Sequence, residues 1–208
     1  MNRSTTGSRP TDAARRTAIP ALRRASIALA LLLGCGRSPS SEAILPDDPG
    51  KVTIRLRSAA FADGGDIPKA STCDGKDTSP PLAWSGVPGG ARSLALVVED
   101  PDAPRGTWTH WVLFDLAPDV GELPRGVPTG GTFEPKAGAK AARQGKNDFG
   151  KLGYGGPCPP GGTHRYVFRL YALDAVLGLD PGASREQVLR AMTGHVLAEG
   201  RLTGRYRR

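Results

Sequence analysis

The sequence has no apolar run long enough to serve as a mature transmembrane helix at its N-terminal end. The run found there, ASIALALLLG, covers only residues 25–34, about half of the roughly 20 residues that a spanning helix needs. Six arginines precede this run, and basic residues before a short apolar stretch are typical of a secretory signal. The pattern therefore favours an exported protein over one that spans a membrane.

The residues that end this apolar run resemble the lipobox of bacterial lipoproteins. Leu32, Leu33 and Gly34 precede Cys35, and in a lipobox that cysteine is lipidated and becomes the new N-terminus. The alternative is an ordinary secretory signal followed by an unrelated cysteine. We expect residues 1–34 to be a signal peptide and residues 35–50 a flexible tether. Residues 51–208 would then be a folded domain, anchored in a membrane through Cys35 and facing the periplasm or the cell exterior.

The charge excess is small once the signal is set aside. The whole chain has 28 basic and 20 acidic side chains. Six of the arginines and one aspartate lie in residues 1–34, which leaves 22 basic and 19 acidic residues beyond it. No broad basic face with interleaved aromatic residues is evident, so nucleic acid is not an expected partner.

Cysteines are few, and their spacing does not resemble a zinc site. With Cys35 assigned to the lipid, Cys73 and Cys158 remain, in the loops STCDGKDTSPP and GYGGPCPPGG. An even number of cysteines in an oxidising compartment favours a disulfide between them, and two buried free thiols are the alternative. The segments DGGD and DGKD lack enough spaced oxygen ligands for calcium. We expect no metal and no cofactor.

Strand patterns dominate from residue 51 onward. VTIRLR at 52–57 alternates apolar and polar residues, SLALVV at 93–98 is apolar on both faces, and RYVFRLYAL at 165–173 is another long strand. Long strands with Pro- and Gly-rich connections predict a mostly β fold, an antiparallel sandwich with small helical additions.

One helix is well marked near the C-terminus. Ser184 and Gln187 form a capping box, and an apolar stripe continues to Met192 and His195, which predicts a packed histidine. Gly200 is the expected stop of the helix. A short strand is predicted at residues 202–206.

The segment EDPDAPRGTWTHW, at residues 99–111, interrupts two apolar strands with acids and prolines. Pro101 and Pro104 lack amide donors, so the strand that ends near Glu99 cannot continue through them. Asp100 is thereby held at a strand end. The next strand places His110 on one face, with Val112 and Phe114, opposite Trp111. The alternative interpretation is a rigid turn beside an ordinary core histidine.

A second loop repeats this arrangement. GYGGPCPPGGT precedes His164, which begins a strand whose face continues through Tyr166, Phe168 and Leu170. Glycine lets backbone amides approach a ligand, and binding sites collect where loops meet strand ends. DGKDTSPPLAW, at residues 74–84, is a third stiff loop before apolar sequence. Two histidines and three rigid loops therefore predict a shared pocket.

At these motifs the sequence resembles the phosphatidylethanolamine-binding proteins, also called Raf kinase inhibitor-like proteins, in their bacterial YbhB/YbcL-type branch. The resemblance rests on DGKDTSPPLAWSGVP, DPDAP, WTHW, GGPCPP and HRY, in that order, over roughly residues 51–206. It implies a β-sandwich with a large central antiparallel sheet, Greek-key-like, and one or two small helices.

The resemblance also implies an anion pocket and the residues that line it. Matched motif by motif, these residues are Asp100, Trp108 on the rim, His110, Gly156, Pro157, His164 and Tyr166. Eukaryotic members usually have a second histidine where this chain has Thr109, and they lack a cysteine at the position of Cys158. These departures argue against kinase inhibition of the eukaryotic type.

The leading hypothesis is a non-enzymatic, lipid-anchored module that binds a small phosphorylated or otherwise anionic ligand. One alternative is a hydrolase that uses His110 or His164 as general base with Asp100 as orienter. No nucleophile is recognisable for it, because GxSxG is absent and Cys158 is expected to be paired. Another is an inhibitor or scaffold whose pocket engages the loop of a partner protein. The oligomeric state is left open, with a homodimer as one arrangement.

Overall fold

The structure is a computed structural model that describes residues 52–208. Strands make up most of the secondary structure in this range, with one α-helix and one turn of 3-10 helix at Lys69–Ser71. The elements are β1 (Val52–Thr53), β2 (Arg55–Arg57), β3 (Leu82–Ser85), β4 (Ser93–Asp100), β5 (Trp108–Leu116), β6 (Glu122–Leu123), β7 (Thr132–Phe133), β8 (Ala142–Gln144), β9 (Thr163–Leu173), α1 (Arg185–Met192) and β10 (Val196–Arg207).

The strands form two sheets. The larger sheet has seven strands in the order β1-β10-β9-β4-β5-β8-β7, and the smaller has three in the order β2-β3-β6. All pairs are antiparallel except β1 with β10, which is parallel. Within this sheet β4, β5 and β8 lie side by side in chain order. The next strand along the chain, β9, returns to lie beside β4, which is the Greek-key pattern. The predicted mostly β fold with a large central antiparallel sheet is confirmed.

The hydrophobic core lies between the two sheets. Leu82 and Trp84 of the small sheet pack in one cluster with the even-numbered residues of β4 and β9, such as Leu96 and Phe168. Every residue of β4 is buried, because α1 and its flanking loops cover part of the opposite face. The apolar run SLALVV thus occupies the central position that its pattern predicted.

Helix α1 begins with the predicted capping box. The Gln187 amide donates to Ser184 Oγ, and the Ser184 amide donates to Gln187 Oε1 at 2.8 Å. The predicted packing of His195 is wrong, because the helix ends at Met192 and His195 lies beyond it at the surface, hydrogen-bonded to Asp174. Within residues 52–208 no helix is long and apolar enough to cross a membrane.

The last strand is longer than predicted, and Gly200 lies inside it. Gly194, with φ of +82°, reverses the chain after the helix, and β10 then runs for 12 residues along β9. A Cβ atom at Gly200 would lie 2.6 Å from the Ile54 carbonyl oxygen and 2.9 Å from Ile54 Cβ. Gly200 is therefore needed for close approach between neighbouring segments, and its interpretation as a helix stop was wrong.

Replacing Gly200 by alanine should lower the free energy of unfolding by about 1 to 3 kcal/mol, because the added methyl group overpacks the contact with Ile54. Gly89→Ala is the matched control, since a Cβ atom there has no neighbour within 4 Å. Its effect should stay within about 0.5 kcal/mol. Urea unfolding of both variants measures this, and an equal loss in the two would contradict the packing argument.

Candidate functional site

A cavity of about 420 Å³ lies at the end of the central sheet where β4 stops and β5 and β9 begin. Its walls come from the turn after β4, the first residues of β5 and β9, and two loops between residues 145 and 162. The lining residues are Asp100, Ala103, Pro104, Arg105, Trp108, His110, Phe149, Cys158, Pro159, Pro160 and His164. Four of the residues that sequence motifs singled out, Asp100, Trp108, His110 and His164, therefore meet at one place.

Asp100 and His164 are directly hydrogen-bonded. His164 Nδ1 donates to Asp100 Oδ2 at 2.7 Å, and both side chains are buried. The antiparallel pairing of β4 with β9 brings the end of one strand to the start of the other, which explains a contact across 64 residues of sequence. The other carboxylate oxygen, Oδ1, accepts the Asp102 amide at 2.8 Å. The buried carboxylate is thus satisfied on both oxygens.

Asp102, two residues further on, points outward and fastens the turn to β9. Its carboxylate accepts the Arg165 backbone amide and two guanidinium nitrogens at 2.6 to 2.9 Å. The hydrogen bond from the Arg165 side chain holds the pKa of Asp102 below its ordinary value. Because both side chains are partly exposed, the ion pair adds little to the free energy of folding. Its main effect is to hold the turn against β9.

A β-bulge in β5 places the His110 side chain in the cavity. In the register of β4 with β5, Val98 is opposite Trp111 and Glu99 is opposite Thr109, so His110 has no partner. The extra residue turns the His110 ring toward Tyr166, at 5.1 Å between ring centroids, and Tyr166 belongs to the core between the sheets. The predicted strict alternation, with His110 opposite Trp111, was wrong because a bulge breaks the period of two.

The bulged histidine is held by Gly155. The Gly155 amide donates to the His110 carbonyl at 2.9 Å, and His110 Nδ1 donates to the Gly155 carbonyl at 2.7 Å. Because a carbonyl oxygen can only accept, the Nδ1 atom carries a proton. Burial lowers the pKa of His110 below its ordinary value. Near pH 7 the His110 ring is therefore neutral, and its Nε2 atom is an acceptor.

Phe149 is a cavity residue that sequence reasoning missed. Its ring lies 5.3 Å from the His110 ring and 5.5 Å from the Trp108 ring, both edge to face, and 41% of the residue remains exposed. The loop around it is fixed by Asn147, which binds the backbone of residues 149, 151 and 153, and by Asp148, which binds the Thr109 amide. The available signal was an aromatic residue alone in the polar loop GKNDFGK.

Two buried donors near the cavity have no hydrogen-bond partner within residues 52–208. They are the indole Nε1 of Trp108 and the hydroxyl of Tyr166. Burial, followed by the neighbouring Asp100 carboxylate, raises the pKa of Tyr166, so its hydroxyl keeps its proton. Buried donors are rarely left unpaired in folded proteins. Trp108 lines the cavity, whereas Tyr166 belongs to the core and contacts the cavity through the His110 ring.

Gly156 and Pro157, which were expected to contact the ligand, are both buried. The residues of this loop that line the cavity are Cys158, Pro159 and Pro160. The Gly156 amide donates to Asp77 Oδ1 at 2.6 Å and is not free for a ligand. A role of these two residues in contacting the ligand remains a prediction, and their observed contacts are structural.

A disulfide joins Cys73 and Cys158, as the paired cysteines predicted. The Cys73 amide also donates to the Pro157 carbonyl at 3.1 Å, and the Tyr154 hydroxyl donates to the Ser71 carbonyl at 2.7 Å. These links tie the cavity wall to the loop around residue 73. The cavity wall is therefore held in place by bonds within the protein itself.

Few side chains of the kinds that act as nucleophiles line the cavity in the part of the chain that the structure describes. Among these lining residues the one sulfur atom is in the disulfide, and none is a serine or threonine. Within residues 52–208 no group of three or more His, Cys, Asp or Glu residues is arranged to hold a metal ion.

Comparisons with known proteins agree on one family. The model of the phosphatidylethanolamine-binding protein family matches residues 57–207. A relative from Methanothermobacter thermautotrophicus, named UPF0098 protein, is 57% identical over 155 residues, which cover 74% of this chain and 99% of the relative. A UPF0098 protein from Aquifex aeolicus is 46% identical over 162 residues, covering 76% of this chain and 91% of its own.

Solved structures of similar proteins share the fold. A phosphatidylethanolamine-binding protein homologue from Chlamydia trachomatis superposes with a TM-score of 0.67 at 43% identity, covering 75% of this chain and 98% of that one. The Escherichia coli protein YbcL, described as a new member of the mammalian family, gives a TM-score of 0.67 at 33% identity, covering 74% and 98%.

Because His110 is buried and its pKa is lowered, we expect the free energy of unfolding to depend on pH. An unfolded histidine binds a proton as the pH falls through about 6.5, whereas the folded site resists protonation until a lower pH. The free energy of unfolding should therefore fall as the pH drops from about 7.5 to 5.5, by at most about 1.4 kcal/mol per pH unit from this group. Chemical unfolding across this range should show a smaller slope for His110→Asn than for wild type. The exposed His195→Asn variant is the control, and a slope unchanged in His110→Asn would refute the assignment.

Proposed function

The chain belongs to the phosphatidylethanolamine-binding protein family, and we propose that it is an exported, lipid-anchored binding module of the bacterial branch whose cavity holds a small phosphate-bearing ligand. Family membership supports a binding module of this type. The ligand, the anchor and the location are our proposal, and the arguments for each follow.

The observation that carries the ligand assignment is the meeting of polar groups at the cavity. Trp108 Nε1 is buried and unpaired within residues 52–208, and the Nε2 atoms of His110 and His164 are the ring nitrogens that the described residues do not engage. A phosphate group accepts several hydrogen bonds at once, and charged donors strengthen them. Uptake of a proton by His110 would supply one such donor.

Asp100 would repel an anion if its charge faced the cavity alone. Its two oxygens are instead engaged by the Asp102 amide and His164 Nδ1. The carboxylate therefore orients the His164 ring through Nδ1, and Nε2 is the ring nitrogen that a ligand would contact. Asp100 acts on the anion through His164.

The rest of the wall fits an apolar substituent. Ala103, Pro104, Phe149, Pro159 and Pro160 present little polarity, and about 420 Å³ exceeds the space that a phosphate group fills, which is a few water volumes. The proposed ligand therefore has a phosphate group at the histidines and an apolar portion against the prolines and Phe149. Proline-stiffened walls lose little conformational entropy when such a ligand binds.

A hydrolase is the second candidate, and the specific observation in its favour is the Asp100–His164 hydrogen bond, which resembles a base and its orienting carboxylate. It would require water as nucleophile, because the lining offers no serine, threonine or free cysteine. Release of phosphate or alcohol from ester substrates by wild type, and its loss in His164→Ala, would favour this candidate. A scaffold role would instead appear as a protein partner that competes with the small ligand for the cavity.

Export and anchoring rest on residues 1–34 and Cys35, which lie outside the described residues. The disulfide between Cys73 and Cys158 supports export, because disulfides persist in oxidising compartments and are rare in the cytosol. The lipobox-like LLGC sequence supports lipidation at Cys35.

The two cavity histidines should be required for ligand binding. Calorimetric titration of phosphoethanolamine or a phenyl phosphomonoester into His110→Ala or His164→Ala should show a loss of about 1.5 to 3 kcal/mol, the usual worth of a hydrogen bond to a charged group. His195→Ala, the third histidine of the chain, should bind like wild type. Wild-type affinity should increase as the pH falls below about 6.5 with proton uptake at His110. Equal affinity in all three variants would remove the cavity from the proposal.

The mature protein should begin at a lipidated Cys35. Intact mass of protein extracted from membranes should show the loss of residues 1–34 and the gain of acyl groups, and Cys35→Ser should abolish both the processing and the acyl mass. Cleavage at another residue with no acyl mass would refute the anchor and leave the ligand proposal standing.

A further inference from the structure

Three arginines form a row on the outer face of β10, the face that points away from the core. Arg201, Arg205 and Arg207 occupy odd-numbered positions, which alternate with the core residues Ala198 and Leu202. All three are exposed, and within residues 52–208 their side chains have no hydrogen bond or ion pair. The row is about 20 Å long at the usual rise per strand residue.

Three acidic residues near the row already have arginine partners. Asp102 pairs with Arg165, Glu199 with Arg169, and Glu99 with Arg185. Two further carboxylates lie in the segment beside β10, where Asp63 Oδ1 accepts the Thr203 amide at 2.8 Å and Asp66 forms a β-bridge with Arg205. The three arginines of the row outnumber these two carboxylates.

The register places like charges opposite each other. Arg205 is opposite Arg165, and Arg201 is opposite Arg169. Like charges directly across two strands destabilise a sheet. The Asp102 and Glu199 carboxylates offset part of this repulsion, and a partner of opposite charge on this face would offset the rest.

A second cavity of about 400 Å³ lies at the end of the row. Arg205, Arg207 and Thr163 line it, together with Asp66, Ile67 and Tyr206. The Tyr206 hydroxyl is engaged with Asp74, which leaves two guanidinium groups against the single carboxylate of Asp66. The recess has room for a phosphate group and its immediate substituents.

We propose that this arginine row is a contact surface for anionic phospholipid head groups, with the recess at Arg205 and Arg207 receiving one of them. β1 begins at Val52 and pairs with β10 at Ala198, so the preceding chain joins the domain beside the strand that carries the row. Residues 35–51 reach at most about 60 Å when extended. A membrane that holds the start of this segment is thus within reach of the arginine row.

The surface is separate from the ligand cavity described above, and its test does not depend on that ligand or on the anchor. The relative from Methanothermobacter thermautotrophicus matches this chain over 155 residues, which are 99% of its own length, so we expect a segment of this size, residues 51–208, to fold by itself. This domain, without the leader, should bind vesicles of phosphatidylglycerol and phosphatidylcholine at low salt, and should not bind pure phosphatidylcholine. Binding should weaken as salt is added.

Three substitutions in the row test whether these arginines are the residues that contact the lipid. Each arginine near an anionic bilayer contributes about fivefold to the partition coefficient, so the triple variant Arg201→Gln, Arg205→Gln, Arg207→Gln should bind on the order of 100-fold more weakly. The control changes the same charge on the small sheet and its following loop, with Arg55→Gln, Arg57→Gln and Arg125→Gln. It should lose only a few-fold, and thermal unfolding should confirm that both variants are folded.

Three results would overturn the proposal. Equal losses in the two triple variants would mean that binding follows net charge rather than the row. An absence of vesicle binding by the wild-type domain would exclude a lipid surface. Saturable binding of glycerol phosphate at Arg205 and Arg207 without vesicle binding would assign the recess to a soluble anion instead.

Discussion

The buried hydrogen bond between Asp100 and His164 is the constraint on which the cavity depends. A carboxylate at this depth is tolerated only if both oxygens are satisfied, and the partners come from the turn at Asp102 and from the first residues of β9. Meeting that condition requires the turn DPDAP to fold back on itself and β9 to start beside the end of β4. The Asp102–Arg165 contacts outside the cavity hold the same two segments together.

The second histidine is placed by a different device. A bulge in β5 removes His110 from the sheet register, and its ring and carbonyl both bind Gly155. The proton on Nδ1 is committed to that contact, which leaves Nε2 for the proposed ligand. Since burial favours the neutral ring, binding of the proposed anion would be coupled to uptake of a proton, and its affinity would respond to pH.

The two faces of the sheet at β9 and β10 present different side chains. Tyr166 and Phe168 point into the core, where Tyr166 contacts His110, while Arg165, Arg201 and Arg205 point outward. The alternation of a strand makes this possible without any separate element. The same pair of strands thus supports a ligand cavity at one end and a basic surface on the other side.

The sequence by itself determined the fold class, the central position of SLALVV, the capping box at Ser184, the Cys73–Cys158 pairing and the convergence of Asp100, His110 and His164. Periodicity, prolines and helix caps act over short stretches of sequence. The cysteine pairing follows from the even number of cysteines, and the site residues follow from ordered motifs that match a family. Tertiary structure alone decided the bulge at His110, the role of Phe149, the commitment of Gly156 to Asp77, the place of Gly200 inside β10 and the alignment of the arginines. Each of these depends on which residue of a distant segment lies opposite, and strand register is set by packing across the sheet, which no local pattern encodes.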